Sequence, residues 1–173
     1  MKNSIGICAL LAIGLMLNGC QKESIESISG ASNNREAGAR KANGNFSAHL
    51  TGDEEVPVPV VTNATGQATF KLSKDGTALT YKLIVANIES VRFGHLHLGA
   101  KGANGGVVVD LVGRTEPSPQ GVIAEGTITS ASLKGALLGK PLSDLINAME
   151  NQGVYVNVHS DKFPGGEIRG QVR

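Results

Sequence analysis

The chain has 173 residues, a formal net charge of +1 at pH 7, only 3% aromatic residues and no tryptophan. A near-neutral chain has no electrostatic attraction to the phosphate backbone of nucleic acids, and so few aromatic rings leave little surface on which bases or sugar rings could stack. The composition therefore argues against a nucleic-acid-binding protein and against a carbohydrate-binding protein that stacks aromatic side chains on sugars.

The first 19 residues have the features of a bacterial lipoprotein signal peptide. Lys2 supplies a positive start, and the apolar run 5–17 is too short to cross a bilayer as a stable helix. The run ends in Leu17-Asn18-Gly19-Cys20, which resembles the lipobox, where cleavage leaves an N-terminal cysteine that carries lipid. We therefore expect residues 1–19 to be removed and Cys20 to be lipidated. The protein would then be anchored in the bacterial cell envelope, facing the periplasm or lying on the outer-membrane surface.

Residues 20–44 are expected to form a flexible tether. They are rich in Ser, Asn, Gly, Ala and charged residues, with Ile25 and Ile28 as the large apolar side chains, so they cannot bury enough surface to offset the entropy cost of ordering. The two cysteines of the chain, Cys8 and Cys20, belong to the signal peptide and the expected lipid anchor. The remaining domain thus has no thiol for a disulfide, a zinc–thiolate site or a cysteine nucleophile.

Residues 45–173 show the alternation of apolar and polar residues that is typical of β-strands. In the first strand, Phe46, Ala48 and Leu50 share one face, and Lys74-Asp75-Gly76 predicts a hairpin in which the glycine takes a positive φ. The predicted strands are 46–51, 67–72, 77–86, 93–98, 107–112, 121–129, 154–159 and 167–172.

One short helix interrupts the strands. Its apolar residues recur every three to four positions, at Leu142, Leu145, Ile146 and Met149. Ser143 is expected to cap its start and Gly153 to end it. The segment 107–112 reads as a strand that is buried on both faces. The predicted fold class is therefore an all-β, antiparallel sandwich or barrel with one short helix.

Three histidines are predicted to lie on one outer face of the sheet. Successive strand residues point to opposite sides, so His95 and His97 point away from the leucines that alternate with them. His159 points away from the valines of its own strand in the same manner. Residues two apart on a strand are about 6.8 Å apart, so His95 and His97 can share one ion. Three imidazoles with an open position suit Zn²⁺ or Cu²⁺.

Other residues could complete such a site. The candidates for a further ligand or an outer hydrogen-bonding partner are His49, Glu167, Asp161 and Asp110. The alternative is that the histidines are structural and form hydrogen bonds with Asn157, Ser160 or backbone carbonyls. Both interpretations stay open on the sequence alone.

Several segments, in the same order along the chain, resemble the CHRD domain, which is named after chordin and is common in bacterial secreted proteins. The matching segments are 46–52, 55–57, 64–68, 95–97, 102–105, 155–160 and 164–170. The resemblance implies an immunoglobulin-like β-barrel with distant similarity to copper-zinc superoxide dismutases. Chordin suggests a protein-interaction module, whereas the His-x-His strand of dismutases suggests that His95 and His97 are metal ligands. His49 stands where the family more often has another residue, and four histidines are too few for a bimetallic dismutase site.

The sequence thus predicts a lipid-anchored binding module of the cell envelope, with a mononuclear metal site at His95, His97 and His159 that holds Zn²⁺ or Cu²⁺. A binding protein is favoured over an enzyme. Two alternatives stay open: a metal-dependent enzyme of redox or hydrolytic type, and a metal-free adhesion domain with an extracellular or periplasmic protein partner. The other expected partner is the membrane, through the lipid on Cys20.

Overall fold

The computed structural model describes residues 44–115 and 119–173. The predicted signal peptide, Cys20 and almost all of the tether lie outside these ranges, so they stay predictions. Among the described residues, none of the helices has the length and apolar character that crossing a bilayer requires. The strands are β1 (Asn45–Thr51), β2 (Thr65–Leu72), β3 (Leu79–Ala86), β4 (Val91–Leu98), β5 (Val107–Val112), β6 (Gly121–Ile128), β7 (Val154–Ser160) and β8 (Ile168–Gln171), and the α-helix α1 is Leu142–Glu150.

The eight strands form one antiparallel sheet in the order β5-β4-β7-β8-β1-β2-β3-β6. The two end strands, β5 and β6, contact each other, so the sheet curls into a nearly closed barrel. Beside this seam the hydroxyl of Tyr81 on β3 donates a hydrogen bond to the carbonyl oxygen of Leu111 on β5 at 2.6 Å. The predicted all-β, antiparallel class with one short helix is confirmed.

The interior of the barrel is filled by the aliphatic residues that alternate along the strands. Leu50, Leu83, Leu96 and Val156 are fully buried there. Burying each such side chain stabilises the fold by about 1.5–3 kcal/mol. Because alternate residues point the other way, the polar residues of β4 and β7 are carried to the outer face of the barrel.

All eight predicted strands are present, although several begin or end a few residues away from the predicted positions. The predicted hairpin between β2 and β3 is confirmed, since Gly76 has a φ of 73° and donates its N–H to the carbonyl oxygen of Ser73 at 3.0 Å. Only a residue without a Cβ adopts this left-handed conformation without strain.

Helix α1 is confirmed, but the predicted cap is wrong. The helix starts directly after Pro141, which has an extended backbone, and Ser143 lies inside the first turn. Pro141 occupies the N-cap position and has no polar side-chain atom, so the first turn of the helix has no side-chain cap. The helix ends at Glu150, three residues before Gly153, and Gln152 between them has a left-handed φ of 54°.

Strand β5 is not buried on both faces, and that prediction is wrong. The strand lies at one end of the hydrogen-bonded order, and its Asp110 is exposed. The pairing with β4 skips Val108, and this bulge lets the consecutive residues Val108 and Val109 both be buried. The apolar run therefore reflects a broken alternation rather than a strand covered on both sides.

Candidate metal centre

The three predicted histidines come together on the outer face of two neighbouring strands. His95 and His97 lie on β4, and His159 lies on β7, where the register places it opposite Phe93 and diagonal to His95. The ring centroids are 5.6 Å apart for His95 and His97, 5.4 Å for His95 and His159, and 6.3 Å for His97 and His159. The three histidines lie on the outer face because they alternate along their strands with aliphatic residues that are buried in the barrel.

Each imidazole uses one ring nitrogen for a contact that points away from the cluster. The partners are the carbonyl oxygen of Gly105 for His97 Nδ1 at 2.9 Å, that of Pro164 for His159 Nδ1 at 3.0 Å, and the carboxylate of Asp110 for His95 Nε2 at 3.5 Å. Because carbonyl oxygens only accept, Nδ1 of His97 and Nδ1 of His159 carry the ring protons, and the nearby carboxylate of Asp110 favours the proton of His95 on Nε2. Metal-ligating histidines are held by outer partners of this kind.

The remaining three nitrogens carry lone pairs and converge. His95 Nδ1, His97 Nε2 and His159 Nε2 are buried and have no hydrogen-bond partner. The potential ligand atoms of the three residues lie within 4.8 Å of one another. Bonds of about 2.0–2.1 Å to a tetrahedral zinc ion would bring such nitrogens to roughly 3.4 Å apart. Small side-chain rotations are therefore sufficient to coordinate one ion.

The environment keeps the cluster neutral. Burial, followed by the charges of His159 and His97, lowers the pKa of His95 from 6.5 to about 4. Burial is also the main cause that lowers the pKa of His97 and of His159. At pH 7 the neutral form of all three imidazoles is therefore favoured, with one nitrogen of each ring free of a proton and able to bind an ion.

A buried polar layer lies beside the histidines, and the sequence analysis named only Asn157 of its members. The ring of Tyr155 stacks on His97, with centroids 4.8 Å apart, and the guanidinium of Arg169 lies 3.6 Å from the Tyr155 centroid. Asn157 Nδ2 donates a hydrogen bond to Glu55 Oε1 at 2.7 Å. Burial raises the pKa of Glu55 to about 7, against the lowering effects of Asn157 and Arg169.

The loop 99–106, between β4 and β5, is bound to this layer. Arg169 donates hydrogen bonds to the carbonyl oxygen of Ala103 at 2.7 Å and to Oδ1 of Asn104 at 3.0 Å. Gly102 has a φ of 78°, a left-handed conformation that glycine adopts without strain. Because the loop also supplies the Gly105 carbonyl, it connects Arg169 to the orientation of His97.

Two further candidate ligands lie outside the cluster. His49 is on β1, which β8 separates from β7, so its strand lies about 10 Å from β7 and further still from β4. The Glu167 carboxylate accepts hydrogen bonds from the hydroxyls of Thr62, at 2.7 Å, and of Ser160, which lies on the buried face. Neither side chain joins the three imidazoles.

The two aspartates that the sequence offered are held in ion pairs. Asp110 pairs with Lys134 at 2.8 Å while also facing His95, and Asp161 pairs with Arg114 at 2.9 Å. Asp110 thus lies beside His95 as an outer partner, whereas Asp161 forms its ion pair with Arg114.

The comparisons with known proteins give one match. No curated protein and no solved structure matches the chain. The family model of the CHRD domain matches residues 46–172, which include the three histidines and the polar layer beside them. This match covers well over half of the 173 residues and agrees with the resemblance of the segments. The chain therefore belongs to the CHRD domain family.

Proposed function

We propose that this CHRD domain is a binding module that holds one transition-metal ion, Zn²⁺ or Cu²⁺, at His95, His97 and His159. The observation that carries the proposal is the set of three converging buried nitrogens without a hydrogen-bond partner. Leaving a buried acceptor unsatisfied costs about 1–3 kcal/mol, and one cation would satisfy all three at once. His95 and His97 belong to β4 and His159 to β7, so the ion would fasten two strands together.

A purely structural role for the histidines accounts for less of the geometry. It explains the hydrogen bonds of His97 and His159 to backbone carbonyls, which a metal ligand would also make. It does not explain why the second nitrogen of each ring is buried without a hydrogen-bond partner, in a cluster whose potential ligand atoms lie within 4.8 Å of one another. The metal-site interpretation accounts for both.

The test is the metal content of the chain, purified without a histidine tag and exposed to Zn²⁺ or Cu²⁺, by elemental mass spectrometry. We expect close to one ion per wild-type chain and none in the variant that combines His95→Ala, His97→Ala and His159→Ala. The matched control is His49→Ala, which removes the fourth histidine of the chain outside the cluster and should bind like wild type. Equal metal content in wild type and the triple variant would refute the proposal.

We further propose that the module is carried on the bacterial envelope by lipid attached to Cys20. The support is the sequence alone: the positive start, the apolar run 5–17 and the lipobox-like Leu17-Asn18-Gly19-Cys20. Cys20→Ser should release the protein from the membrane fraction of the expressing bacterium, as shown by fractionation and by the mass of the N-terminal peptide. A variant that stays in the membrane fraction would exclude this anchor.

A further inference from the structure

A fourth buried acceptor lies on the same face as the three imidazoles. Asn157 is 4% exposed, and its Oδ1 has no hydrogen-bond partner. The register pairs Asn157 directly with His95, and it lies two residues before His159 on β7. Side chains of directly opposed residues start about 4.5–5.5 Å apart, so the amide of Asn157 lies beside the histidine cluster.

Glu55 holds this amide in one orientation. The carboxyl oxygen Oε1 accepts a hydrogen bond from Asn157 Nδ2 at 2.7 Å, which leaves Oδ1 as the amide atom without a partner. The pair is packed tightly under Gly166, where a Cβ would lie 2.7 Å from Glu55 Oε1 and 2.8 Å from both polar atoms of the amide. The hydrogen bond to Glu55 thus assigns the nitrogen to one end of the amide and the oxygen to the other.

The four unpartnered atoms on this face are all acceptors. They are three imidazole nitrogens and one amide oxygen, and none of them has a hydrogen-bond partner among the described residues. The remaining buried atom without a partner, Arg92 Nε, is a donor and lies near Asp161 instead. A cation is the kind of ligand that satisfies four acceptors together.

We propose that Asn157 Oδ1 is the fourth ligand of the ion, so that protein atoms close its coordination. This inference rests on the proposed function. Structural zinc sites have four protein ligands, whereas catalytic sites leave one position to water. An amide oxygen also serves copper as a weak axial ligand beside stronger donors. The centre would then be a closed N₃O site that fastens β4 to β7, and Glu55 would be its positioning residue.

The test uses Co²⁺, whose visible absorption reports its ligands, with azide as a small competing ligand. We expect azide to leave the spectrum of the Co²⁺-loaded wild-type chain unchanged, because no exchangeable position exists. Asn157→Ala opens a position, so its spectrum should change on azide addition, and its Co²⁺ affinity should fall by at least the roughly 10-fold that loss of an outer hydrogen-bonding partner costs. The matched control is Gln67→Ala, which removes an amide from β2 and should behave like wild type.

Each outcome separates the inference from the proposed function. An azide-dependent spectrum in the wild-type chain would overturn the fourth-ligand assignment while leaving the three-histidine site intact, and this readout needs no variant to fold. Equal Co²⁺ affinity in wild type and Asn157→Ala would overturn it as well. A wild-type chain that binds no Co²⁺ would refute the three-histidine site and the inference together.

Discussion

Gly105→Ala should abolish stable folding or destabilise the protein by more than about 4 kcal/mol. A Cβ at this position would lie 1.4 Å from the carbonyl oxygen of Leu98, which belongs to the backbone of β4 and cannot rotate away. Either β4 or the loop 99–106 must move. Since the Gly105 carbonyl also accepts the hydrogen bond of His97 Nδ1, the displacement would disorient that imidazole.

The neighbouring glycine supplies a matched control. A Cβ on Gly106 would meet no atom within 4 Å, and this residue does not have a left-handed φ. Gly106→Ala should therefore change the free energy of unfolding by no more than about 0.5 kcal/mol. Thermal and urea unfolding, followed by circular dichroism, measures the stability of both variants. Similar stabilities for the two would show that Gly105 does not lie against the backbone of Leu98.

Arg169→Met should cost about 3–5 kcal/mol of stability, because it breaks a buried charged network. Arg169 is 2% exposed, and the substitution would remove the donor from Ala103 and Asn104 and the cation near Glu55. Methionine keeps much of the aliphatic volume beside Tyr155. The loss of stability therefore measures the contribution of the charge of Arg169 and of its hydrogen bonds. Urea unfolding of the variant and of wild type measures this cost.

The cost should also depend on pH. The pKa of Glu55 is raised from 4.5 to about 7, so its contribution to stability is complete below pH 4.5 and is lost as the pH rises through 7. Because Arg169 lowers the pKa of Glu55, its removal raises that pKa further, and the deficit of the variant should be larger at pH 8 than at pH 4.5. Arg114→Met, which removes an exposed partner of Asp161, should have no measurable effect. A deficit that is independent of pH would contradict the coupling to Glu55.

The sequence predicted the features that depend on residues close together in the chain, namely the positions of the strands and the faces of their side chains. Alternation placed all eight strands and put His95, His97 and His159 on one face, since side-chain direction in a strand follows from parity. The start of α1 and the bulge at Val108 were not predictable in this way. The first depends on a proline whose extended backbone leads into the helix, and the second on the register with a partner strand.

The contacts of the polar layer were not predicted because the residues that form them are far apart in the sequence. Glu55 and Asn157 are 102 residues apart, and they meet only after the barrel has closed. A partial signal was present, since Asn157 has the same parity as His159 and lies in the same strand. Glu55 follows two other acidic residues, Asp53 and Glu54, and only its place in the family-matching segment 55–57 sets it apart from them.

The most direct test of the central claim is an anomalous-difference map from crystals of the chain grown with Zn²⁺. The account predicts one strong peak about 2.0–2.2 Å from His95 Nδ1, His97 Nε2 and His159 Nε2. Density without such a peak between these three nitrogens, or with the ion bound elsewhere on the barrel, would contradict it.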